Sequence, residues 1–121
     1  MKYTDSHEWI KIEGHIGMVG ITKYAQKELG EVVHIELPQV DTVVEAGEEV
    51  AVLESTKAAA DIYTPVSGKI VAVNERIKRD LSLINNSPEG EGWLFKIKLE
   101  DKRELEELYD EKSYLKLVCS D

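Results

Sequence analysis

The chain has 121 residues, 42% of them hydrophobic, which suits one domain with a modest core. Its 24 acidic residues outnumber 15 basic ones, leaving a net charge of −9. That balance argues against nucleic acid and anionic membrane surfaces as partners and favours docking on basic faces of other proteins. No apolar run approaches the ~20 residues of a membrane helix. Met1-Lys2-Tyr3-Thr4-Asp5 lacks the apolar stretch and cleavage site of a signal peptide, and Asp5 and Glu8 come too early for a transit peptide. The single cysteine, Cys119, has no internal disulfide partner and fits a reducing compartment.

Residues 7–12 alternate around Trp9 and predict a strand. Glu13-Gly14 is turn chemistry, and residues 15–20 resume as the second strand of a hairpin. Thr22 is a candidate N-cap for a short helix over 22–29, with Tyr24, Ala25 and Leu29 at helical spacing and Gly30 as its terminator. Strands are predicted over 32–37, ended by Pro38, over 42–46 before the turn at Gly47, and over 50–54. The chain then bends and leaves as a strand over 61–64. Pro65 and Ser67-Gly68 make another turn before a strand over 69–74. Gly47-x-x-Val50 and Gly68-x-x-Val71 share a spacing that hints at a two-part repeat. Residues 75–91 read as polar and irregular.

Residues 93–99 alternate, with Phe95, Ile97 and Leu99 opposite Leu94, Lys96 and Lys98. Asp101 then predicts a capped helix, with Glu104 at the reciprocal position of a capping box and Leu105 and Leu108 as its buried stripe. Residues 113–118 predict a last helical turn, with Tyr114, Leu117 and Val118 available for packing. About seven short strands and two or three short helices define the class: mainly β, a small β-sandwich or flattened barrel with helices at the periphery.

No enzymatic constellation emerges. His7, His15 and His34 lack metal-ligand spacing, and no cysteine cluster accompanies them. Ser55 is not in a Gly-x-Ser-x-Gly elbow, and Glu89-Gly90-Glu91-Gly92 lacks the lysine of a phosphate cradle. What remains is the bend Glu54-Ser55-Thr56-Lys57-Ala58-Ala59-Ala60-Asp61. A lysine at a turn most often only solvates the tip. Here small alanines follow it and leave it uncovered, a geometry that suits a lysine another protein must reach. A lysine amine is ordinarily protonated in neutral water and a poor nucleophile, so covalent modification fits better than Schiff-base catalysis. The bend would then present a prosthetic arm, and the cofactor would carry the chemistry.

The order and spacing of many short pieces add a resemblance. These are Ser6-His7-Glu8-Trp9, Gly20-Ile21-Thr22, Tyr24-Ala25-Gln26, Leu29-Gly30-Glu31-Val32-Val33, Glu36-Leu37-Pro38, Glu54-Ser55-x-Lys57-Ala58, Asp61-Ile62-Tyr63-x-Pro65-Val66-Ser67-Gly68, Val73-Asn74, Asn85, Pro88, Gly92-Trp93 and Lys96-Ile97. Together they make the whole chain, 1–121, resemble the glycine cleavage system H protein family, a single lipoyl-carrier domain of the barrel-sandwich type with an N-terminal hairpin and a C-terminal helical extension.

The resemblance implies lipoate on Lys57 and a non-catalytic shuttle. The arm would take an aminomethyl group from glycine decarboxylase to a tetrahydrofolate-using aminomethyltransferase and be reoxidised by dihydrolipoyl dehydrogenase. A lipoate ligase or a lipoyl/octanoyl transferase would load it. By the same resemblance Ser6, Glu8 and Asp61 lie near a cleft that shelters the arm, with Ile21, Ala25 and Leu29 as its apolar wall. Glu8 would hold the cargo amine by a charge-assisted hydrogen bond. The expected form is a monomer in the bacterial cytoplasm, or in the mitochondrial matrix for a processed eukaryotic chain.

Two positions depart from the family pattern. Leu81 stands where a proline is frequent, which predicts a more mobile or differently packed loop, and Thr56 replaces a valine before the lysine. Three alternatives stay open at this point. One is an H-like carrier serving lipoate relay to other complexes. Another is a biotinyl or 2-oxo-acid-dehydrogenase lipoyl domain, which Thr56 and Ala58 fit poorly. The last is an interaction module with an unmodified Lys57.

Overall fold

The computed structural model describes residues 1–119, with no account of the Cys119 side chain, so the reading of its thiol lies outside the described residues. Nine strands form two antiparallel sheets. In chain order they are β1 (Lys2–Tyr3), β2 (Glu8–Glu13), β3 (Ile16–Ile21), β4 (Val32–Glu36), β5 (Val43–Val44), β6 (Glu49–Ser55), β7 (Ala59–Tyr63), β8 (Gly68–Val73) and β9 (Phe95–Leu99). One sheet has the order β1-β2-β3-β9-β8-β5, and the other is β4-β6-β7. The helices are α1 (Lys23–Leu29), α2 (Glu75–Arg79), α3 (Ser82–Asn86) and α4 (Glu111–Cys119), with a 3₁₀ helix over Lys102–Glu107. This is the flattened barrel-sandwich with short helices that the sequence predicts.

The alternation of β9 explains the sandwich. Phe95, Ile97 and Leu99 point inward, where they join Ile10, Val19, Leu53 and Ile70 in one core, while Lys98 stays in water. Each large side chain so buried contributes roughly 1.5–3 kcal/mol. A second, smaller cluster gathers Tyr3, Trp9 and Tyr114. It joins β1, β2 and α4, and Trp9 Nε1 donates to the Pro88 carbonyl at 2.9 Å.

Gly47 and Gly68 do not play equivalent parts. Gly47 turns the chain at φ 88 with open space around it. Gly68 opens β8 pressed against β9, where an added Cβ would stand 2.0 Å from the Lys98 carbonyl oxygen. The shared Gly-x-x-Val spacing therefore marks two different physical needs.

Three expectations need correction. His7 is not a strand residue; it sits in the turn before β2 at φ 73. Residues 75–91 are not irregular throughout, because α2 and α3 lie within them. Asn74 caps α2 by accepting from Arg76 N, and Ile77 and Ile84 turn inward and are fully buried. At the Leu81 stretch, where a more mobile or differently packed loop is expected, Leu81 leads into α3 and rests on the core. From α3, the Asn85 side chain accepts from Val32 N at 2.8 Å and donates to Val32 O at 3.2 Å, tying the helix to β4.

The third correction concerns Glu104. Asp101 does cap the next segment, accepting from Arg103 N at 2.9 Å, but that segment is a 3₁₀ helix and Glu104 does not close a capping box. Its carboxylate reaches across to the turn before β8, accepting from Ser67 N at 2.7 Å and Ser67 Oγ at 2.8 Å. Ser67 Oγ in turn accepts from Ala46 N at 2.9 Å. A tertiary partner thus outcompetes the local one. Glu104→Ala strands the buried Ser67 amide, so a loss of about 1–3 kcal/mol is expected in urea unfolding, with Glu104→Gln milder because its carbonyl still accepts. Equal stability of the alanine variant and the parent would show that water replaces the carboxylate there.

Candidate functional site

The β6–β7 hairpin carries Lys57 at its tip. Glu54 pairs with Ala59, and Ser55 N donates to Ala58 O at 2.8 Å, closing a tight turn over Thr56 and Lys57. Ser55 Oγ accepts from Lys57 N at 3.2 Å and Ala58 N at 3.1 Å. A serine hydroxyl thus meets amides that a tight bend would leave to water. Lys57, Ala58 and Ala59 are all exposed, and Thr56 sits in the turn without disturbing it. Among the described residues no carboxylate pairs with Lys57 Nζ. Its side chain lies along the end of α1, where a methyl group added at Gly30 would stand 3.2 Å from Lys57 Cε. Gly30, at φ 89, both ends α1 and clears this path.

Down β7 from the tip lies a groove of about 270 Å³. Its lining includes Tyr3, Ser6, Glu8, Tyr63, Pro65 and Tyr109. Glu8 is 1% exposed, the one buried carboxylate among the described residues. Its Oε1 accepts from Thr4 Oγ1 at 2.5 Å and Ser6 Oγ at 2.6 Å, and its Oε2 accepts from Tyr63 N at 3.2 Å. Three donors, two hydroxyls and one backbone amide, thus converge on the carboxyl.

Burial raises the Glu8 carboxyl above its ordinary range, against the pull of the hydrogen bonds from Ser6, Thr4 and Tyr63. Its contribution to stability is therefore complete only below the unfolded-chain value and is lost as pH rises through the folded one.

The structure brings Ser6 and Glu8 together at once. Asp61 is exposed on β7, between the tip and Tyr63 on the same strand face, and its side chain has no hydrogen bond or ion pair among the described residues. It does not line the groove. Ile21, Ala25 and Leu29 do not line it either; they belong to the main core or pack on it. Sequence reasoning missed Thr4 and Tyr63, the other two donors to Glu8. Thr4 carried a readable signal, a hydroxyl four residues before an acid at a turn. Tyr63 contributes only its backbone amide, which no residue type reports. His15 and His34 are exposed, and among the described residues no group of three or more His, Cys, Asp or Glu side chains could hold a metal ion.

A flattened barrel-sandwich that holds one unpaired lysine at a rigid hairpin tip, beside a groove with a buried acid, is built as a carrier domain rather than as a catalyst. The family model for the glycine cleavage H-protein matches residues 1–121, and the chain belongs to that family. It is 56% identical to the glycine cleavage system H protein of Thermotoga maritima over 113 residues, 93% of this chain and 91% of that one. It is 50% identical to the protein of the same name from Thermus thermophilus, over 98% of this chain and 93% of the relative. The crystal structure of a glycine cleavage system H protein from Mycobacterium marinum superposes with a TM-score of 0.86 at 38% identity, covering 94% of this chain and 92% of that one.

The chain is thus a carrier component of glycine cleavage, working with the other components of that system, and not an enzyme. Membership over the whole length decides against a biotinyl domain and against a plain interaction module. No helix among the described residues is long and apolar enough to cross a membrane.

Proposed function

We propose that Lys57 Nζ carries lipoate as an amide, and that the arm shuttles an aminomethyl group between the enzymes of glycine cleavage. The observation that carries this reading is the exposed, unpaired Lys57 on a turn stiffened by Ser55. The residues present fit the group: small Ala58 and Ala59 leave the amine open to a ligase, and Gly30 clears the way back toward the body of the domain. When bound, lipoate supplies a disulfide that takes up and returns the aminomethyl group.

The protein's own residues then hold and shelter. Strand rise of about 3.3 Å per residue puts Tyr63, which donates to Glu8, about 13 Å along β7 from Ala59. A lysine lengthened by an eight-carbon acyl chain covers a comparable distance. Ser6 and Thr4 orient the Glu8 carboxyl, which as a carboxylate would take the cargo amine in a charge-assisted hydrogen bond. Asp61 lies on the way from tip to groove and would attract the same cationic amine. The groove would keep water from the cargo between enzymes.

The partners in this reading are glycine decarboxylase, the aminomethyltransferase and dihydrolipoyl dehydrogenase, with a lipoate ligase or lipoyl/octanoyl transferase loading the arm. Residues 1–121 act as one carrier domain, monomeric and in the bacterial cytoplasm; the bacterial source of the similar proteins supports that location. The direct test is acylation of Lys57 itself, read by intact mass and peptide mapping. A second test separates the groove from the tip. Glu8→Ala is expected to leave lipoylation intact and to speed hydrolysis of the carried aminomethyl group severalfold. An unchanged hydrolysis rate would remove Glu8 from the sheltering role.

A further inference from the structure

The turn that presents Ser6 and Glu8 is held in an unfavourable backbone state. His7 N donates to Thr4 O at 3.2 Å and Thr4 N to Glu8 O at 2.9 Å, closing the β1–β2 hairpin, and His7 takes φ 73 in the bulge position. Glycine fills such a position at low cost; histidine visits it more often than most residues but still at some cost, which outside contacts offset. Three contacts supply it. Thr22 N donates to His7 O at 3.0 Å. The imidazole lies 4.7 Å from the Tyr24 ring. His7 Nδ1 is 2.8 Å from the hydroxyl oxygen of Tyr114, on α4.

That hydroxyl is anchored on its other side. It lies 2.7 Å from Thr22 Oγ1, which accepts from Ala25 N at 3.2 Å as the cap of α1. Tyr114 is 4% exposed and stacks on Tyr3 at 4.7 Å. Proton bookkeeping gives the chain a direction. With His7 neutral and its proton on Nε2, Ala25 N–H donates to Thr22 Oγ1, Thr22 O–H to the Tyr114 oxygen, and Tyr114 O–H to His7 Nδ1. Every donor on that path then has an acceptor. Protonating His7 makes Nδ1 a donor and reverses both hydroxyls, so buried Thr22 Oγ1 receives two donors and its own proton loses the Tyr114 oxygen as acceptor.

We propose that Tyr114 is a positioning residue for the groove: its hydroxyl donates to His7 Nδ1, fixes His7 in its left-handed state, and so holds Ser6 and Glu8 where the cargo is received. The cargo half of this rests on the reading of Glu8 given above; the positioning half does not. The groups around the pair make the contact pH-sensitive. Burial holds the His7 imidazole below its ordinary range, while Asp5 in the turn and Glu28 on α1 pull it back up. Burial raises the Tyr114 hydroxyl, and the charges of Glu89, Tyr24 on α1 and Tyr3 on β1 push it the same way, against the hydrogen bond with Thr22. Acidification through the His7 titration therefore loosens α4 from the groove.

The test compares the whole protein with Tyr114→Phe, which keeps the ring on Tyr3 and removes the donor. Imidazole nitrogen spectra should show His7 as the Nε2–H tautomer in the parent and as a mixture in Tyr114→Phe. The Glu8 carboxyl, followed by carbon NMR, should titrate closer to an ordinary carboxylate in the variant, and the aminomethyl group on the lipoylated form should hydrolyse about threefold to tenfold faster. His7→Gly removes the cost of the left-handed state, so Tyr114→Phe added to His7→Gly should leave the Glu8 titration where His7→Gly alone puts it.

Parent-like Glu8 titration and cargo lifetime in Tyr114→Phe would overturn the positioning role. So would a further Glu8 shift in the double variant, which would show Tyr114 acting through α4 packing alone. If Glu8 titration moves but neither Tyr114→Phe nor Glu8→Gln changes cargo lifetime, the sheltering reading of the groove falls and the positioning contact stands.

Discussion

Lys57→Arg is expected to abolish lipoylation completely while leaving the fold unchanged. Arginine keeps the positive charge and the length, but its guanidinium stays protonated and does not attack an activated acyl group. The side chain is exposed and makes no ion pair among the described residues, so the substitution should alter stability by no more than about 0.5 kcal/mol. The measurement is intact mass after incubation with lipoate, ATP and a lipoate ligase. The parent should gain one lipoyl amide and Lys57→Arg none. Lys69→Arg is the matched control, because Lys69 is also exposed but sits in β8 and pairs with Asp41 at 3.5 Å. Acyl gain in Lys57→Arg, or loss of it in Lys69→Arg, would move the attachment site elsewhere and end the hairpin-tip account.

Gly68→Ala should be the most damaging single methyl in the described structure. The new Cβ would meet the Lys98 carbonyl oxygen at 2.0 Å and the Ile97 side chain at 3.1 Å. The first obstacle is backbone of the paired strand β9, which cannot swing aside as a side chain would. Either the β8–β9 pairing opens or the sheets move apart, and both undo core contacts of Ile70 and Ile97. A loss of about 3 kcal/mol or more is expected, at the upper end of overpacking effects. Gly14→Ala provides the comparison: its φ of 64 disfavours alanine, but nothing lies within 4 Å, so about 1 kcal/mol should be lost. Urea unfolding midpoints that fall equally for the two variants would show that the strands separate without cost and that close packing at Gly68 is not what holds them.

Much of the fold follows from local rules, and those parts were legible. Thr22 caps α1 and Gly30 ends it because both acts need only one residue's hydroxyl or backbone freedom. The alternation of β9 needs only the period of a strand. β1 went unread because two residues, Lys2 and Tyr3, carry no period; Tyr3 becomes a strand through pairing with Trp9 and a bridge to Tyr109. α2 and α3 are five residues each, too short to show helical spacing above a polar background. Their reality depends on Ile77 and Ile84 reaching the core and on Asn85 reaching β4.

The candidate site divides along the same line. Lys57 stood out from sequence because a hairpin bend exposes its central side chain whatever the rest of the chain does. A resemblance brought Glu8 forward, but its character comes from residues far along the chain. Burial of its carboxylate depends on Tyr63, 55 positions away, and the turn beneath it on Tyr114, 107 positions from His7.

By itself the sequence determined the cap and end of α1, the Asp101 cap, the alternation of β9 and the open lysine at its hairpin bend, since each arises from interactions within a few residues. Only the tertiary structure decided that Glu8 is desolvated, that Glu104 serves Ser67 rather than its own helix, and that α4 is tied to the groove. Those outcomes turn on which distant groups meet out of water, where hydrogen bonds and charges gain the strength that solvent denies them along a local stretch.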